Sequence, residues 1–209
     1  KGLNQFVNNV LYNWGEGAAY NMSGNSEGDS EVAIEDNYFI VGPGNMWRNA
    51  LVSTDPDGTK NYAFQYIQVN PAKPFKEGNS NFRAYLSGNY YDTNKNGVLD
   101  GHLLQQNEWS GTPTILSVPS ELHPSIKSQT NATDAYKYIV EKVGAYLPTR
   151  DEVDTYLIEE LTSLGTKGTI IGRPFSVEQF SIGGCGNFKT GTPKTDTDGD
   201  GMPDDFEDK

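Results

Sequence analysis

The densest group of side chains able to do chemistry lies at the end of the chain, where Asp196 to Lys209 carries seven acids and one lysine. In the run Asp196-Thr197-Asp198-Gly199-Asp200-Gly201-Met202-Pro203-Asp204-Asp205-Phe206-Glu207, oxygen donors recur at alternate positions. Asp196, Asp198 and Asp200 stand at positions 1, 3 and 5 of a calcium loop, Gly201 supplies the sharp turn, and Met202 offers its carbonyl at position 7. Asp204 acts through water, and Glu207 closes the pattern with two oxygens. Carboxylates crowded this closely repel one another unless a hard cation joins them. The expected chemistry is Ca2+ binding; the alternative is a solvated acidic tail.

A weaker copy of the pattern occurs earlier. Asp92, Asn94, Asn96, Val98 (through its carbonyl) and Asp100 fall at positions 1, 3, 5, 7 and 9, with Gly97 at the turn. Leu103 stands where the bidentate carboxylate belongs, which predicts a weak cation site or a turn that keeps only the shape. Other reactive types are sparse. Cys185, the single cysteine, excludes an internal disulfide and is expected to be tucked into the Gly183-Gly184-Cys185-Gly186 turn. His102 and His123 have no second ligand at metal spacing and read as loop residues.

These groups must be positioned by a turn-dense scaffold. Hydrophobic residues make up 35% of the 209 residues, with 23 glycines, and this composition favours β structure over a helical bundle. The formal charge of −12 and the lack of a basic stripe argue against nucleic acid as a partner. No apolar run reaches the roughly 20 residues that a membrane-spanning helix needs, so no membrane partner is expected.

Three stretches organise the scaffold: Val7 to Tyr12, Ile34 to Phe39 and Leu86 to Tyr91. Each sets an Asn inside an apolar, β-favouring segment. Asn tolerates left-handed backbone, and repeated at matching heights it can stack amide on amide. A parallel β-helix turns its corners in this way; three unrelated surface turns are the alternative. Between the second and third stretches, strands near 50–53 and 62–69 flank Asp55-Pro56-Asp57-Gly58, which predicts a hairpin. Two helices follow. Tyr136, Ile139, Val140 and Val143 form an apolar stripe over about 133–143, with Thr133 and Asp134 as caps and Gly144 as the stop. Thr149 and Glu152 suit a capping box for a helix over 150–164 that ends at Gly165. Both are expected to cover the β structure, since an amphipathic stripe cannot be buried alone.

Read as a set, these residues resemble a known family. Val7-Asn8-Asn9-Val10-Leu11-Tyr12-Asn13-Trp14-Gly15, Ala19-Tyr20 and Asp36-Asn37-Tyr38-Phe39-Ile40-Val41-Gly42-Pro43-Gly44 resemble bacterial pectate lyases of polysaccharide lyase family 1. Asn81-Phe82, Gly88 to Asp92, Val143 to Ala145, Pro148 to Asp154 and the acidic tail are similar too. The resemblance implies a right-handed parallel β-helix over 1–190, the two covering helices included, with 191–209 as a truncated calcium tail. It implies a secreted enzyme that cleaves pectate, an acidic polysaccharide, by β-elimination. In that family Ca2+ bridges the uronate carboxylate to protein acids, and an Arg removes the adjacent proton.

The family's calcium Asp residues and catalytic Arg lie on coils before the Asn-Asn-Val-Leu-Tyr segment, so no residue here inherits those roles. The chain is expected to be the C-terminal portion, inactive without its upstream half, which is supplied in cis or as a separate chain. Arg48 in the hairpin is a candidate to reach a uronate, while Trp14 and Tyr20 are candidates to stack on sugar faces or to pack as core. Arg150 reads instead as a first-turn residue paired with Asp154 at i+4. Two other classes stay open: a non-catalytic β-helical binding or adhesion module with a calcium-stabilised tail, and a related lyase or β-helical hydrolase.

Overall fold

Three times the chain runs extended, turns on a left-handed residue followed by Asn, and runs extended again. The computed structural model describes residues 2–207 except 16–17, 26, 45, 69–71, 148, 169–180, 188–190 and 192, with the backbone alone at 46–52 and 62–68. The first coil comprises β1 (Gly2–Val7), β2 (Val10–Tyr12) and β3 (Ala18–Asn21). The second comprises β4 (Ser30–Glu35) and β5 (Tyr38–Ile40), an excursion through β6 (Met46–Thr54) and β7 (Lys60–Gln68), and then β8 (Lys73–Lys76). The third has β9 (Phe82–Ser87) and β10 (Tyr90–Asp92), followed by the short β11 (His102–Leu103) and β12 (Thr114–Ile115).

Corresponding strands of successive coils pair side by side. One sheet runs β1-β4-β9-β12, all parallel, with Phe6 opposite Ile34 and Ile34 opposite Leu86. A second runs β2-β5-β10 in parallel and ends on β11, which is antiparallel. A third pairs β3 with β8. The excursion is an antiparallel hairpin whose turn closes with the Asp55 amide on the Thr59 carbonyl, as the Pro-Asp-Gly signal predicts.

The first two Asn-bearing stretches are each broken at the corner, between β1 and β2 and between β4 and β5. Asn8 and Asp36 sit at φ 57° and 52°, and Gly88 makes the same turn at 64° in the third coil. That conformation is one Asn, Asp and Gly reach most easily, and the Asn that follows fills the corner. Asn9 Nδ2 donates to Asn37 Oδ1 at 3.0 Å, and Asn37 Nδ2 donates to Asn89 Oδ1 at 2.9 Å. Each Oδ1 also takes the backbone N–H of the Asn one coil before it, at 2.8 and 3.2 Å. The spare hydrogens reach the carbonyls of Phe6 and Ile34. Asn37 and Asn89 are buried, yet both amides are satisfied, which is what makes them tolerable there.

The two-residue period of β5 divides its side chains between two cores. Phe39 points inward and meets Phe75 edge-on at 5.1 Å, with Tyr20, Trp14 and Trp109 around them. Tyr38 and Ile40 point outward and are covered by α1 (Ala132–Lys142) and α2 (Glu152–Thr162) through Tyr136 and Leu161. The helices therefore close the outer face of the second sheet.

Their ends differ from the expected ones. Asn131, not Thr133 or Asp134, caps α1, because its extended backbone lets Oδ1 accept the Asp134 amide at 2.9 Å. Asp151, not Thr149, caps α2 and takes the Asp154 amide at 2.8 Å. Arg150 does not pair with Asp154. It donates to the Val143 carbonyl at 2.9 Å and the Val140 carbonyl at 2.8 Å, which satisfies orphan acceptors at the C-terminus of α1. Gly144 and Gly165 stop the two helices in left-handed conformation, as expected.

Candidate functional site

In the tail, Asp196, Asp198 and Asp200 bring carboxylate oxygens within 4.8 Å of one another, the one such acidic group among the described residues. Backbone amides hold them in place. Asp196 accepts from Gly199 and Gly201 at 2.8 and 2.9 Å, and Asp200 accepts from Met202 at 2.8 Å. Gly199 and Gly201 make the turns at φ 74° and 93°. The expected ligand set is only partly assembled. Asp204 is turned onto Thr197, whose amide and hydroxyl each reach it at 2.7 Å and hold its carboxyl below the usual range. Asp204 and Glu207 instead begin and end a short helix, α3 (Asp204–Glu207), beside which Lys194 pairs with Asp205 at 2.5 Å. Three converging carboxylates suit a hard cation such as Ca2+.

The loop after β10 is built differently. Asn94 Nδ2 and Asn96 Nδ2 each donate to one oxygen of Asp100, at 2.8 and 2.9 Å, and lower its pKa. The Oδ1 atoms of the same two residues accept the amides of Asn96 and Val98. Asp92 lies beneath, and burial pushes its carboxyl above the usual range while the Asn94 and Asp100 amides pull the other way. Leu103, at the empty twelfth position, is an exposed residue of β11.

Two of the three residues expected to face sugar pack as core. Trp14 packs edge-on to Phe39 at 6.4 Å, and Tyr20 lies between Phe6 and Phe75 at 5.3 and 6.3 Å, so both rings stand against the inner core. Arg48 occupies a position in β6 opposite Tyr66 of β7, and its side chain lies outside the described residues. Cys185 is exposed rather than tucked into its turn, in which Gly183, Gly184 and Gly186 all take positive φ.

Two features have no local signal in the sequence. His102 Nε2 lies 2.6 Å from Glu108, which also accepts the Gln105 amide and so faces the ring from a single helical turn. The segment 117–129 crosses the Asn corner. Asn8 accepts from the Ser128 and Gln129 amides, and Lys127 pairs with Asp36 at 2.5 Å. Glu35 lies under this strap; burial, then Asp36, raise its pKa, while Lys127 and His123 oppose them.

Strands β1 and β2 are the outermost strands of their sheets at the same end of the stack, beside an apolar cavity of about 390 Å³ between β2 and the helices. Val10, Tyr12, Ile139, Leu157 and Leu161 line it.

The chain is 37% identical over 207 residues, 99% of its length, to a protein of Aspergillus flavus named probable pectate lyase C. Nearly the whole chain is similar to pectate lyases. Proteins of the same name from Neosartorya fischeri and Aspergillus terreus are also 37% identical, over 209 and 207 residues. The chain spans 42% of the length of each of these relatives. They are fungal, whereas the motifs were read above as resembling bacterial enzymes. No family model matches the chain, and no solved structure does. Among the described residues no helix is long and apolar enough to cross a membrane.

Proposed function

We propose that this chain forms part of a secreted, calcium-dependent pectate lyase that cleaves polygalacturonate by β-elimination. One observation carries the reading: the 37% identity to a probable pectate lyase C over 99% of the chain. The stacked parallel strands and the Asn ladder support a right-handed parallel β-helix as the scaffold. Bound Ca2+ would neutralise the uronate carboxylate and acidify the proton beside it. No position of this chain stands in the motif context of the proton-abstracting Arg or of the acids that would hold that ion. The reading puts them on further coils of the same enzyme, in cis or on a separate chain, stacked where β1 and β2 end their sheets. The tail acids Asp196, Asp198 and Asp200 are assigned a separate, structural Ca2+, with Met202, Asp204 and Glu207 as the further ligands that the loop spacing offers.

A second reading, a non-catalytic β-helical binding or adhesion module, has one observation in its favour. The convergent carboxylates among the described residues lie in the tail, after α2 in the chain and on none of the strands. The products separate the two. Mass spectrometry of polygalacturonate treated with the full-length protein is expected to show oligosaccharides lighter by one water than hydrolysis products. Products at the hydrolysis mass, or uncleaved polymer, would overturn the lyase reading.

A further inference from the structure

Asp92 is 3% exposed, and its Oδ2 is buried without a hydrogen-bond partner. A carboxylate oxygen in that state is costly, and a cation beside it would offset the cost. The Asn94 and Asp100 amides face the same carboxyl, so its other oxygen is tied to both ends of the loop that runs from Thr93 to Asp100. Among the described residues no Lys or Arg pairs with Asp92 or Asp100, and His102, which lies nearby, is held by Glu108.

We propose that Asp92 and the loop to Asp100 form a site for one hard divalent cation, with the buried Asp92 Oδ2 as its anchoring ligand. The loop carries its oxygen donors at alternate residues: the carboxylates of Asp92 and Asp100, the side-chain carbonyls of Asn94 and Asn96, and the backbone carbonyl of Val98. The two Asn amides stand against Asp100, and Asp92 Oδ2 has no such donor. A bound ion would serve both acids together. With Leu103 at the twelfth position the site lacks a bidentate acid, so its affinity falls below that of a complete loop.

Its place in the fold gives the ion a task. The Gly97 amide donates to the Leu164 carbonyl at the end of α2, and the Asp92 carbonyl accepts from Val41 at 2.9 Å. An ion here would fasten the loops of two neighbouring coils to the helix that covers them. This inference is independent of the lyase reading.

The test uses full-length protein with the tail silenced by Asp196→Ala, Asp198→Ala and Asp200→Ala. Tb3+ stands in for Ca2+, because Tyr38 lies against Gly101 beside Asp92 and can sensitise its emission, whereas the tail loop has no tyrosine. Adding Asp92→Asn, which keeps shape and removes charge, is expected to lower the bound Ca2+ by one ion in equilibrium dialysis. It should also remove tyrosine-excited Tb3+ emission that Ca2+ otherwise displaces. The exposed Asp100→Asn is expected to weaken both signals at least tenfold with unchanged circular dichroism, which covers the case in which Asp92→Asn does not fold. An unchanged ion count and unchanged emission in a folded Asp92→Asn or Asp100→Asn variant would overturn the site, whatever the outcome with polygalacturonate.

Discussion

Asn37 shows how one side chain can hold three coils in register. Its amide bonds to Asn9 on one side and Asn89 on the other while also taking the Phe6 carbonyl. Asn37→Ala strands several buried groups at once, and urea unfolding should show a loss on the order of 3 kcal/mol. Glu35, beside that corner, behaves in the opposite way. Burial and Asp36 raise its folded pKa above the ordinary 4.5, so the native state binds the proton more tightly than the unfolded chain does. The stability linked to Glu35 is fully present below that value and is lost as pH rises through the folded pKa. Glu35→Gln should therefore unfold at higher urea than the parent at pH 7, with the difference shrinking toward pH 4. A constant difference across that range would contradict the assignment. The ladder was legible in the sequence because three like motifs repeat. The strap over Glu35 was not, because Ser128 and Gln129 reach Asn8 across about 120 residues of chain.

At the scale of elements, helix positions were legible from apolar periodicity and stop glycines, and their caps were off by a few residues. Several cap-competent residues lie close together at both starts, and only the backbone conformation selects Asn131 and Asp151. Arg150 was misread for a related reason: the i+4 rule considers one helix, whereas its partners are the carbonyls that end the helix before it. Arg150→Met should lower stability by about 1–2 kcal/mol in thermal or urea melts, through lost charge-assisted bonds to those carbonyls. Catalysis by full-length protein should be unchanged. The metal loops divide in the same way. Spacing alone pointed to both, but only coordinates show that Asp196, Asp198 and Asp200 converge while Asn94 and Asn96 turn their amides onto Asp100.

At the scale of the molecule, strand order and core follow from repetition along the chain. Tyr38 and Ile40 face the helices and Phe39 faces the inner core because a strand alternates. The chemistry does not follow in this way, because a scaffold of coils is compatible with many sites. The reading offered for it rests on similarity to proteins of which this chain spans 42%. It requires a base and a calcium cluster next to the β1–β2 end of the stack. The most direct measurement is ultraviolet absorbance of polygalacturonate incubated with full-length protein, with and without a calcium chelator. The account predicts a steady rise from conjugated, unsaturated sugar ends that chelation abolishes and added Ca2+ restores. Release of saturated sugars with no rise in absorbance, insensitive to chelator, would contradict it.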